Sequence, residues 1–157
     1  MKQVEMNKDI KLSEHFTLGE LCKTSHQTAD GNIPSRVVIE NLRNLCENWL
    51  EDLRYSYNTL YPDDKPIIIT SGYRSPEVNR LAGGSATSNH LTGCAVDIHV
   101  SGFEQAIRYA SILLDIAEGT KRDYDELFIE RNKAGSHWIH FAVRPTGNRR
   151  KTDFLKV

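Results

Sequence analysis

Hydrophobic and polar positions divide this chain into stretches of two different periods. The clearest is helical: Val38, Leu42, Leu45, Cys46, Trp49 and Leu53 recur at three- and four-residue steps, with Glu40, Arg43, Asn44, Glu47 and Glu51 on the other faces. That spacing predicts a helix over 35–57 forming one wall of a core, stopped by the turn-forming stretch 61–66. A second stripe of Phe103, Ala106, Ile107, Ala110, Leu113, Leu114 and Ala117 follows a capping box at Ser101 and Glu104 and predicts a helix ending near Gly119. A capping box at Thr17 and Glu20 opens a short helix in FTLGELCKT, and Ser75-Pro76 starts another that runs to Leu81.

The other segments read as strands. Ile67-Ile-Ile-Thr70 is β-branched and bounded by Pro66 and Gly72, AVDIHV at 95–100 alternates, and DELFIE at 125–130 and HWIHFAV at 137–143 flank a polar turn. Turn formers crowd 26–35, and 85–92 is polar and loop-like. Residues 1–15 are expected to be a frayed or docking-dependent lead, and the basic tail from Arg144 to be loose. Helices come first and strands interleave later, with no internal repeat. This order predicts α+β, a small antiparallel sheet flanked by helices, in one domain over 1–157 with 1–15 and 145–157 peripheral.

Composition narrows the partners. The chain has 157 residues, 39% hydrophobic and 26% charged, with a net charge of −1, so no strong basic surface is available for nucleic acid. The tail cluster Arg144, Arg149, Arg150 and Lys151 reads more simply as a solvated terminus. No apolar stretch approaches a membrane span, so membrane insertion is not expected. The opening MKQVEMNKDIKLSEHF lacks an apolar h-region and a cleavage site, so it does not read as a secretory signal. Cys22, Cys46 and Cys94 are an odd number at wide spacing and read as small buried hydrophobes, not as a disulfide framework.

Candidate chemistry lies in dispersed histidines and one aspartate. His90 and Asp97 stand seven residues apart across a loop that runs into a strand, and His140 lies on the last predicted strand. Two imidazoles and a carboxylate make a workable catalytic zinc set with one position open, although on spacing alone three unrelated polar residues is the better account. The surrounding words carry more. SNHLTGCAVD at 88–97 contains SxHxxGxAxD, whose small Gly93 and Ala95 would let the backbone pass close to a metal; SGYR precedes it and WIH follows it.

These three words, in this order, resemble the M15 group of zinc D-Ala-D-Ala carboxypeptidases and related endolysin peptidases, and within it the subgroup designated A. The likeness runs from FTLGELCKT through SGYRSPEVNRLAGG, SNHLTGCAVDI and DELFIE to HWIHFAV. Hedgehog signalling domains share the fold and keep a comparable zinc site in a protein known as a ligand. The resemblance implies a hedgehog-like fold, zinc on His90, Asp97 and His140, and hydrolysis of peptidoglycan stem peptides by water whose pKa the metal lowers to roughly 7.

Further roles follow from the same resemblance. Arg74 matches an arginine that stabilises the substrate's oxyanion or carboxylate, and Ser88 a position that hydrogen-bonds substrate. Tyr73 is taken as a further substrate-binding residue, and Trp138, which shares a strand face with His140, either walls the cleft or packs in the core. Many relatives carry a carboxylate three residues before the last histidine ligand; here that position is His137. The general base is therefore either His137, which reaches the metal only if the chain turns before Trp138, or Glu130 at the end of DELFIE, which is slightly favoured. The departure at His137 also admits a catalytically silent, zinc-stabilised domain that binds cell-wall peptide. A monomer is expected. Release of a phage or prophage lysis protein and a longer exported enzyme fit an extracytoplasmic substrate equally well.

Overall fold

A computed structural model describes residues 5–62 and 64–157. Five strands form one sheet in the order β1-β2-β4-β3-β5: β1 Ile69–Ser71, β2 Ala95–His99, β4 His137–Ala142, β3 Glu126–Arg131 and β5 Lys151–Lys156. Neighbours pair antiparallel except β3 with β5, which are parallel. Together with the flanking helices this makes a mixed α and β architecture, one five-stranded sheet with helices packed against it.

The helices cover one face. Beside the short helices α1 (Leu18–Leu21) and α4 (Pro76–Leu81), helix α2 (Arg36–Leu45), a π-helical turn (Cys46–Leu50) and α3 (Glu51–Leu60) run on as one rod, with Val38, Leu42, Leu45, Cys46, Trp49 and Leu53 all buried. Against them lie Val96, Ile98, Leu127, Ile139 and Phe141 from the inner face of the sheet, with Trp49 edge-on to Phe141 at 5.1 Å. Helix α5 (Phe103–Thr120) closes the core with a different stripe from the one expected. Tyr109, Ile112 and Ile116 are buried, whereas Phe103 and Ile107 are exposed. Its cap also differs: the Ser101 amide is taken by the Gln105 side chain and not by Glu104.

Of the two alternatives for the lead the docked one holds, and the expectation of a loose tail is corrected. The lead is anchored, because Leu12 and Phe16 are buried in the core and His15 Nδ1 meets Glu51 Oε2 at 2.7 Å. Residues 1–4 and Asp63 lie outside the described residues. The tail is not loose either. Arg149 reaches the fully buried carboxylate of Asp125 at 2.8 Å, Arg150 bonds Asp123 and Glu118, and β5 then pairs along all of β3. A charged edge strand reading KTDFLK carries little hydrophobic alternation, which is why its pattern does not announce it.

Candidate metal centre

The open face of the sheet carries the chemistry. Cross-strand pairing puts Asp97 opposite His140 and His140 opposite Phe128, so one row crosses β2, β4 and β3 on a single face. His90 enters from above this row, on a 3₁₀ turn (Asn89–Thr92) where its own amide donates to the capping Ser88 hydroxyl. Gly93 ends that turn at φ 72°, and a Cβ there would lie 2.8 Å from the Val38 carbonyl. Its smallness thus serves the close approach of the turn to α2, not passage beside a metal as expected.

The loop after β1 completes the surround. At Gly72 a Cβ would stand 2.1 Å from the Leu21 carbonyl oxygen, so only glycine fits, and its own carbonyl accepts from His90 Nδ1 at 2.7 Å. Buried Asn32 pegs this loop in place. Its amide donates to the carbonyls of Cys22 and Tyr73, at 2.9 and 3.1 Å, and its oxygen accepts from the Ser75 amide at 2.7 Å. The segment 26–35 showed only as turn formers, so this residue was missed.

Three donor atoms converge. His90 Nε2 lies 3.4 Å and His140 Nδ1 3.2 Å from Asp97 Oδ1, and the three ligand atoms all fall within 4.8 Å of one another. The set fits a divalent metal on its chemistry: two imidazole nitrogens and a carboxylate oxygen, largely buried, with the far nitrogen of His90 on a backbone carbonyl. Arg74 sits on the other carboxylate oxygen, its Nη2 3.2 Å from Asp97 Oδ2 and its Nε 3.0 Å from Ser71 Oγ. Burial pushes the Asp97 carboxyl up, but His90 and His140 outweigh burial and hold it well below the usual carboxylate range. Burial alone would lower His140; hydrogen bonds with Asp97 and Glu126 reverse that and raise it to about 9.

A cleft of about 390 Å³ opens on this cluster, lined by Arg74, Ser88, Phe128 and Glu130 as well as the three donors. Glu130 is half-buried, and burial lifts its carboxyl above the ordinary value against only partial opposition from His140. His137 is elsewhere. Strand β4 is regular from His137 onward, so odd spacing turns that ring to the opposite face, near Phe103 at 5.2 Å and Phe154 at 6.4 Å. It is corrected as a candidate base. Tyr73 is also corrected: its ring is buried in the core and does not line the cleft. Trp138 stands opposite Glu130 on the site face, half-buried and outside the cleft lining.

Residues the motifs passed over also take part. Phe128 stacks on His140 at 5.5 Å, and Glu126 Oε1 lies 3.1 Å from His140 Nε2. Parity within DELFIE could have shown both, since Glu126, Phe128 and Glu130 share one face. Asn89, Arg144 and Arg149 form a network around Asp125 that sequence spacing gives no means of seeing.

Residues 14–127 match the family described as Peptidase M15. The chain belongs to the peptidase M15 family. No curated protein sequence matches it. The family match stops just before the half of β3 that carries Glu130 and before the whole of β4. The place of His140 in this M15 peptidase therefore rests on cross-strand geometry, which sets it directly beside Asp97.

Proposed function

We propose that this M15 peptidase is a zinc enzyme that cleaves peptidoglycan stem peptides, with a carboxypeptidase-like or endolysin-like specificity. The observation that carries the reading is the convergence of His90, Asp97 and His140 at the floor of a cleft that also holds Glu130 and Arg74. Zinc, when bound, supplies Lewis acidity toward a peptide carbonyl and acidifies water.

The chain's own residues do the rest. Glu130, with its raised proton affinity, accepts a proton from the attacking water and delivers it to the leaving amine. Arg74 holds Asp97 through Oδ2 and brings a permanent positive charge to the cleft, where it can face a developing oxyanion or a substrate carboxylate. Ser88 spends its hydroxyl on the turn that carries His90 and borders the cleft beside it.

The competing reading, a silent peptide-binding domain, drew on the histidine at 137. That support lapses because His137 lies behind the sheet while a carboxylate, Glu130, occupies the cleft. The test is to incubate zinc-loaded protein with purified muropeptides and identify the products by mass spectrometry. Release of D-alanine or scission within the stem supports the proposal. Binding without any cleavage would sink it.

A further inference from the structure

We infer that Glu126 is a positioning residue of the metal centre, holding the His140 ring by its Nε2–H so that Nδ1 is left as the metal donor. The inference rests on the reading of His90, Asp97 and His140 as ligands, and gives a role to a carboxylate outside that set.

A neutral imidazole carries one N–H and one lone pair, and a metal takes the lone pair. The two histidines of this site are held in opposite senses. His90 points Nδ1 at the Gly72 carbonyl, 2.7 Å away, which leaves Nε2 toward Asp97. His140 points Nε2 at Glu126 Oε1, 3.1 Å away, which leaves Nδ1 toward Asp97. A carbonyl only accepts, so His90 keeps its proton on Nδ1; His140 faces a carboxylate on each edge, and when a metal takes the lone pair on the Asp97 side, its proton is left to Nε2 and Glu126. Phe128, stacked on His140 with 16° between the rings, limits tilt but cannot choose between the ring's two edges. That choice falls to Glu126.

Glu126 is itself fixed. Its side chain is 17% exposed, and Asn89 Nδ2 donates to the same Oε1 at 2.7 Å. The Asn89 amide also bonds Asp125 Oδ2 at 2.8 Å, and its oxygen accepts from Arg144 Nε at 3.0 Å. Asn89 immediately precedes His90 in the chain. One amide therefore ties the turn that carries the first histidine to the strand that orients the second.

The test uses the full chain and reads zinc, not turnover. Zinc affinity is measured by chelator competition for wild type, Glu126→Ala and Glu126→Gln. Loss of an outer acceptor on a metal-bound histidine typically weakens binding about 10- to 100-fold, and Glu126→Ala should fall in that range. Glu126→Gln, whose amide oxygen still accepts from Nε2, should recover most of the affinity. In zinc-loaded wild type, long-range ¹H–¹⁵N spectra should place the His140 proton on Nε2. Unchanged affinity in Glu126→Ala, or a proton on Nδ1, overturns the inference. If Glu126→Ala does not fold, the wild-type spectrum decides alone. Failure of wild type to bind zinc would remove the metal reading and this inference together, whereas unchanged affinity in the alanine variant removes only the latter.

Discussion

At the residue scale, strand parity separates two candidates between which the local words give only a slight preference. His137 and Glu130 were both candidates for the base, and a regular β4 puts one behind the sheet and the other in the cleft. Glu130→Gln should therefore reduce kcat on a muropeptide by about 10²- to 10⁴-fold, the usual worth of a positioned acid–base group, with zinc affinity retained. His137→Ala should leave kcat within a factor of about two, since surface substitutions remote from a site shift little. Steady-state kinetics on both variants decide it. A large loss in His137→Ala with none in Glu130→Gln would reverse the assignment.

At the scale of elements, the legible part of the site is the part written in local words. His90 and Asp97 lie within one decamer, and the strand after them shows its period. His140 had to be placed by resemblance, because its closeness to Asp97 arises from strand pairing across a separation of 43 residues. Glu126 and Asn32 were illegible for different reasons. Glu126 sat inside a strand word judged by its last residue only. Asn32 is one polar residue among turn formers, and nothing in such a stretch marks which of them goes inside. The same holds for β5, a charged edge strand, and for Leu12 and Phe16, two apolar residues with no period to place them in the core.

The Asn32 peg gives an element-level prediction. Asn32→Ala strips partners from two carbonyls and one amide and places alanine at φ 52°, a left-handed backbone that asparagine tolerates better. With unmet buried groups costing about 1–3 kcal/mol each before relaxation, a net loss near ~3 kcal/mol is expected in urea unfolding. Zinc affinity should fall as well, because the loop released carries the Gly72 carbonyl behind His90. Loss of stability with zinc affinity intact would mean that the peg serves the core and not the site.

For the whole molecule, the sheet separates two kinds of stability. One face is an apolar core; the other is a bank of paired charges that titrates with acid. Hydrogen bonds from Arg149 outweigh burial and hold the Asp125 carboxyl far below its ordinary range on this face; on the helical side, burial pulls Glu51 up, but His15 and Ser13 bring it below its ordinary value. Groups with depressed folded pKa values stabilise the fold above their unfolded pKa, about 4, and that contribution is lost as pH falls through the folded values. Urea midpoints should decline as pH falls below about 5 and these carboxylates take up protons. Asp125→Asn should be less stable at neutral pH and show a shallower decline. An equally steep decline in that variant would place the acid sensitivity elsewhere.

The same separation governs metal removal. The residues that bury the core, from Leu42 and Trp49 to Ile98 and Phe141, lie behind the sheet and do not depend on what the front holds. On the front, Asp97 keeps two histidines and Arg74 as partners without any ion, so the vacated donors are not left as an unpaired charge. Chelation should therefore abolish peptidase activity but not folding. At zinc a hundredfold above Kd, binding to the folded state alone contributes about 2.7 kcal/mol. At roughly 2–4 °C per kcal/mol for a chain of this size, that is a fall in Tm of about 5–10 °C on adding EDTA, reversed by zinc. Collapse to an unfolded chain under chelation would mean that the metal organises the fold itself. A melt indifferent to zinc, with activity equally indifferent, would remove the ion from the mechanism altogether.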